Sequence, residues 1–549
     1  MKKLCVTLVA VVLCAVYADA CTNFIVGKKA SIDGSVMCTY SADSYGMFNY
    51  LYHSPAAKHA EGEMIDIYDW DTNAYHGRIP QVAETYNVVG NINEYQVSIG
   101  ETTYGGREEM VDSTGIIDYG SLIRLALQRS KTAREAIKVM TTLVETYGYN
   151  SEGETFSICD PNEAWIMEMQ GAAPKGVVWV AVRIPDDAIC AHANQSRITT
   201  FNQKDKENVM FSKNCIKYAR QHGWFNGKDA DFSWNAAYAA PDFSGRRFCD
   251  ARVWSFFNRF ADSMDRYLAW AEGFDKDAEP LPLWVKPNKK LSVADLQTGM
   301  RDHYEGTPLA TDETIAGGIW EMPYQPTPLS YKVDGKTYFT ERPISTQQAS
   351  FTFVTQMRSW LPRQIGGIIW FGNDDANMVA YVPVYCCNVN VPRCFTQEDG
   401  ADDVTFSSKN AFWMCNFVAN MVYPRYSMLF PELKSVRDSL DSSYFNLQQD
   451  IENKALAIYN TQNTESELET AKYLTAYSNR KAAEMMDCWH QLATTIIVKF
   501  NDMTIKQMKD GKYVRDENGL LAPVIRPGYS ERYARKMIQL SKKNMAEPE

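Results

Sequence analysis

The feature that most constrains this chain is a junction at residue 21. Lys2 and Lys3 precede an apolar run from Leu4 to Val16, and Tyr17-Ala18-Asp19-Ala20 follows, with small residues at the third and first positions before Cys21. This is the pattern of a cleavable secretory leader, 1–20. Its apolar part is shorter than the roughly 20 residues a membrane-spanning helix needs. Directly after the junction, Thr22-Asn23-Phe24-Ile25-Val26-Gly27 reads as a buried strand. Asp33-Gly34 is a turn signal, and Ser35-Val36-Met37-Cys38-Thr39-Tyr40 is a second strand. Removal of the leader therefore makes a cysteine the first residue of a β-hairpin.

The expected product is an exported protein, secreted or periplasmic, with no membrane association once the leader is gone. Loss of Lys2, Lys3 and Asp19 takes the formal charge from −11 to −12. An acidic chain without a basic run argues against nucleic acid and anionic membranes as partners. The competing reading makes Cys21 the lipid-bearing residue of an anchored, non-catalytic binding protein, although such sites usually carry leucine where Ala18 stands. Cys5 and Cys14 lie in the leader, and the other cysteines show no C-x-x-C spacing; the seven histidines include no H-E-x-x-H. No metal site or cofactor is implied.

Downstream, Ser121 to Thr142 has helical spacing, Gly153 to Met169 and Gly176 to Arg183 read as strands, and Pro280 to Tyr338 as irregular loops. Ser350 to Arg358 and Gly366 to Tyr385 are strand-like. Leu440 to Leu474, Asn479 to Phe500 and Ser530 to Leu540 are charged and helix-favouring. The pattern predicts an α+β layered domain over 21–430 and a helical region over 431–549.

A cysteine at a new N-terminus brings a thiol titrating near 8.5 and an α-amine near 7.7–8.0 onto one residue, so nucleophile and base lie within reach of each other without a histidine. The run Cys21 to Ser31, then Asp33-Gly34-Ser35 and Ala42-Asp43-Ser44, resembles the dipeptidase A and secernin family of N-terminal nucleophile hydrolases. Penicillin V acylase, bile salt hydrolase and acid ceramidase share that branch. The resemblance continues through Asn93-Glu94, Gly100-Glu101-Thr102-Thr103, Ala193 to Ile198, Ala251-Arg252-Val253-Trp254 and Gln356-Met357-Arg358 to Trp370, covering about 21–385.

The resemblance implies a four-layer αββα sandwich with a C-terminal helical extension, and a cysteine-type dipeptidase acting on small peptides, or else on a non-peptide amide such as a bile salt. It implies Cys21 as nucleophile and its α-amine as general base. Asp43 would orient that amine, Asn194 would donate to the oxyanion, and Arg252 would stand near the thiol and favour its thiolate. Thr103 falls near the second oxyanion donor. Tyr40 occupies a position where the acylase branch has arginine, and a tyrosine brings a hydrogen bond without positive charge. Glu101 is a candidate partner for a substrate ammonium.

Overall fold

The structure, a computed structural model, describes residues 21–173, 176–325, 329–461 and 463–541. The expected leader, 1–20, lies outside the described residues, as does the end of the expected helical region, 542–549.

Two antiparallel sheets carry the molecule. The first runs in the order Trp284–Val285, Ile189–His192, Asn23–Val26, Val36–Asp43, Ala349–Met357, Gly367–Asn373, Val382–Tyr385. The second places Ser98–Gly105 between Gly153–Cys159 and Ile92–Asn93, and continues through Ala164–Gly171 and Val177–Ile184 to Val209–Phe211. The hairpin expected after Cys21 forms: Ile25 pairs with Cys38 and Val26 with Met37. Its turn is set by Gly34 at φ +88° and by the Asp33 carboxylate, which accepts from the Ser35 N–H at 3.0 Å.

The sheets meet at a seam that is partly polar. Ser98 Oγ and Thr355 Oγ1 lie 2.9 Å apart, and Asn23 Nδ2 donates to the Glu101 carbonyl at 2.5 Å. Gly100 permits this approach, since a Cβ there would sit 2.2 Å from Asn23 Oδ1. On the other side of the second sheet, Ile99, Phe156, Ile158, Trp165 and Met167 form a buried cluster with Leu122, Leu125, Ile137 and Met140. Those last four residues come from two helices, Tyr119–Arg129 and Ala133–Tyr147, where one was expected over 121–142. The break is local chemistry. Ser130 Oγ bonds back to the Ala126 carbonyl, and Thr132 caps the second helix through the Glu135 N–H.

The first sheet is packed by Ala251–Phe260 and by two long antiparallel helices, Tyr426–Tyr459 and Ser466–Lys499. These replace the expected segments 440–474 and 479–500, the break falling at 460–465. Position 430/431, where the composition changes, lies inside Tyr426–Tyr459. That helix is held by an ion pair from Arg358, at the end of the strand Ala349–Met357, to Glu452 at 2.7 Å, and by one from Arg301, directly after the helix Val293–Met300, to Asp441 at 2.7 Å. The change in composition at 431 therefore marks no break in the structure. The helix Val293–Met300 and the hairpin of Ser330–Val333 with Lys336–Phe339 interrupt the stretch read as loops. No described helix is long and apolar enough to cross a membrane.

Candidate active site

Cys21 stands at the head of its hairpin, where the neighbouring Thr22 exchanges backbone hydrogen bonds with Ser41 at 3.2 and 3.0 Å. The residue is 6% exposed. Its Sγ lies 3.8 Å from the Tyr40 hydroxyl and 3.7 Å from Glu101 Oε1. Tyr40 donates its own hydrogen to that same carboxylate oxygen. Burial pushes the thiol well above its ordinary range, and the negative charges of Glu101 and Asp43 push further. The Asp43 backbone N–H and the Tyr40 hydroxyl act in the opposite sense. Glu101, expected to face a substrate ammonium, thus touches the nucleophile itself. Its second oxygen, Oε2, is buried, the Glu154 carboxyl lies within hydrogen-bonding reach of Glu101, and burial raises the Glu101 carboxyl to about 7.

Arg252 reaches the same residue from the other side, and here the expectation needs correction. Its Nη1 donates to the Cys21 carbonyl at 2.6 Å and to Thr22 Oγ1 at 2.7 Å, so it holds the backbone of the nucleophile rather than its sulfur. Its Nη2 donates to the Ala193 carbonyl at 3.1 Å and to Asn194 Oδ1 at 2.9 Å. The guanidinium fork presents its donors in one plane and locks two segments together. Asn194, at φ +60°, has its amide oxygen on Arg252 and its Nδ2 on the Thr103 carbonyl at 2.7 Å. The loop that carries it is fastened by Glu168, which accepts from the N–H groups of Arg197 at 2.5 Å and Ile198 at 3.0 Å. Thr103 lines the cavity, but its hydroxyl donates to Glu154 Oε1 at 2.5 Å.

Asp43 is fully buried and pairs with Arg342 at 2.9 Å; Ser41 donates to its other oxygen at 2.5 Å. Burial raises the Asp43 carboxyl to about 6, against the pull of Arg342. Sequence reasoning missed Arg342, which lies 299 residues away in the chain with no local motif. It also left His192 without a role. That imidazole bridges Thr102 Oγ1 and Ser157 Oγ, both at 2.7 Å, and burial pushes it down to about 3, which makes it a neutral brace of the sheet seam.

Part of this set opens onto one cavity, while Asn194, Arg252, Arg342 and His192 stand behind its lining. Cys21, Tyr40, Asp43, Glu101 and Thr103 line its inner part. Tyr50, Tyr52, Trp70, Tyr119 and Arg124 line the remainder, with Phe351 and Phe371. Among the described residues no cluster of His, Cys, Asp or Glu is arranged to hold a metal ion.

The model of "Peptidase family C69" matches residues 20–59 and 52–438. The chain is 26% identical over 388 residues to a "Probable dipeptidase" of Salmonella dublin, covering 67% of this chain and 81% of the relative. It is 26% identical over 434 residues to a "Probable dipeptidase" of Latilactobacillus sakei, covering 74% and 82%. "Dipeptidase A" of Lactobacillus helveticus is 26% identical over 422 residues, covering 73% and 81%. With the family match running through the hairpin, the Asn194 loop and Arg252, this chain belongs to peptidase family C69.

Proposed function

We propose that the protein is an exported cysteine dipeptidase of the N-terminal nucleophile type, in which leader removal makes Cys21 the first residue of a four-layer αββα sandwich. The two facing sheets, with helices packed on each, support that layering. The observation that carries the functional reading is the setting of Cys21. Its thiol opens onto a cavity, its carbonyl is clamped by Arg252, and the buried carboxylate of Glu101 lies beside its sulfur.

In this mechanism the freed α-amine takes the thiol proton, and the sulfur attacks the scissile carbonyl carbon. Arg252 keeps the nucleophile's backbone in place, and the Asn194 amide stabilises the oxyanion. Collapse breaks the C–N bond, and the leaving amine takes the proton held by the α-ammonium. Water then hydrolyses the thioester, releasing the first amino acid and restoring the thiol. Asp43, held by Arg342, orients the α-amine. Glu101 pairs with the substrate ammonium, which cancels the negative charge that otherwise holds the thiol protonated. Substrate binding therefore favours the thiolate when it is needed.

The test compares the full chain with the form beginning at Cys21, and with Cys21→Ser, on free dipeptides, N-acetylated dipeptides and a conjugated bile salt. Cleavage of free dipeptides by the processed form alone is expected. Equal rates before and after leader removal, or a faster rate on the bile salt, would overturn the proposal, as would a lipid-modified Cys21 in the mass spectrum.

A further inference from the structure

Arg124 is the cavity residue that the mechanism above leaves unused. It projects from the helix Tyr119–Arg129, one turn beyond Gly120, and is half-buried. Its guanidinium lies over the Trp70 ring, 3.7 Å from the centroid, and faces the Tyr52 ring at 4.4 Å. Gly120 allows the indole to come so close, because a Cβ there would meet Trp70 at 2.6 Å. The Tyr50 side chain hydrogen-bonds to Arg124, and Asp118 is felt electrostatically while its carboxylate caps the helix through the Gly120 and Ser121 N–H groups. Arg124 Nε is buried and has no hydrogen-bond partner among the described residues. Burial lowers the guanidinium's affinity for its proton, yet arginine stays charged in proteins. A cation held between aromatic faces, with a buried donor to spare, is prepared for an anionic ligand.

The cavity is therefore polar in a definite sense. The Glu101 carboxyl lies beside the nucleophile, while Arg124 borders both this cavity and the adjoining outer cleft formed with Ser44, Tyr45, Tyr50, Trp70 and Asp71. A zwitterionic dipeptide has the same polarity about its scissile bond. Its ammonium belongs to the acyl residue that Cys21 attacks, and its carboxylate belongs to the leaving residue. Resting on the dipeptidase reading, we propose that Arg124 binds the substrate's C-terminal carboxylate and so limits the enzyme to two-residue peptides. An extended dipeptide spans about 7 Å, and a third residue adds about 3.5 Å, so a single fixed guanidinium serves a single peptide length. Arg124 is a specificity-determining residue in this account and takes no part in bond cleavage.

The experiment measures kcat and KM of the active enzyme produced from the full chain on Ala-Ala, Ala-Ala amide and Ala-Ala-Ala. Wild-type enzyme is expected to prefer the free acid over the amide by about 10- to 100-fold in kcat/KM, the range of a hydrogen bond to a charged group. Arg124→Gln should erase that ratio, mainly by raising KM for the acid, and Arg124→Lys should restore part of it. A thermal melt shows whether the variants remain folded, and the wild-type ratio stands as a readout if they do not. Equal wild-type rates on acid and amide, or an undiminished preference in folded Arg124→Gln, would overturn the role of Arg124 while leaving the dipeptidase reading intact. Wild-type enzyme that cleaves no dipeptide sinks that reading, and this inference with it.

Discussion

Replacing Glu101 with glutamine separates two effects that the site places on one carboxylate. Glu101 Oε1 lies 3.7 Å from Cys21 Sγ. At an effective dielectric constant of about 20, two unit charges at that separation repel by about 4.5 kcal/mol, which adds to burial in holding the thiol protonated. The repulsion exists only when Glu101 is ionised, which its carboxyl reaches above about pH 7. Glu101→Gln keeps an oxygen to accept from Tyr40 and removes the charge. Alkylation of Cys21 by iodoacetamide, followed against pH in the form beginning at Cys21, should therefore show thiolate forming at lower pH in the variant. Dipeptide hydrolysis should move the other way, with KM raised by about 10-fold or more, because the ammonium loses its charged partner. Such opposed shifts in reactivity and turnover would not come from simple disorder of the site. An alkylation midpoint displaced by less than half a unit would refute the electrostatic argument.

Two further outcomes are expected. Asn194→Ala should lower kcat by about 10²- to 10³-fold, the loss found when one oxyanion donor is removed, with little change in the alkylation rate of Cys21; a kcat within a factor of three of wild type would remove Asn194 from that role. Asp43 titrates near 6 when folded and near 3.9 when unfolded, so the folded state holds its proton more tightly. The stability linked to that proton is full below about pH 4 and is lost as pH rises through 6. Denaturant unfolding of Asp43→Asn against wild type should then shift in the variant's favour by about 2 kcal/mol between pH 4 and 7, and a difference independent of pH would count against it.

What the chain declares by itself is local. The small-residue junction before Cys21, the strand and the Asp33-Gly34 turn lie within about twenty residues, and hydrophobic period and turn chemistry are enough to read the hairpin. The runs around Cys21, Asp43, Gly100, Asn194 and Arg252 were enough to read the family, and its model matches over those residues. The break in the helix after Arg129 was written in Ser130 and Thr132, but side chains that bond to backbone compete with helix only when their caps form.

Tertiary structure decided the electrostatics. Whether Arg252 meets the sulfur or the carbonyl of Cys21 depends on how the helix Ala251–Phe260 packs against the hairpin, and a guanidinium's direction is invisible in sequence. Arg342 reaches Asp43 from 299 residues away. Glu101 became a neighbour of the thiol because Gly100 lets one sheet close on the other. The position 430/431 looked like a boundary because exposed helix faces are charged whether or not the opposite faces are buried. Glu452, inside the helix that spans that position, is buried against Arg358, so the same charged alphabet builds both surface and core. Sequence pattern records which residues are polar. Only packing determines which of those polar groups lose water, and the loss of water turns Glu101, Asp43 and Arg124 from ordinary charges into parts of a site.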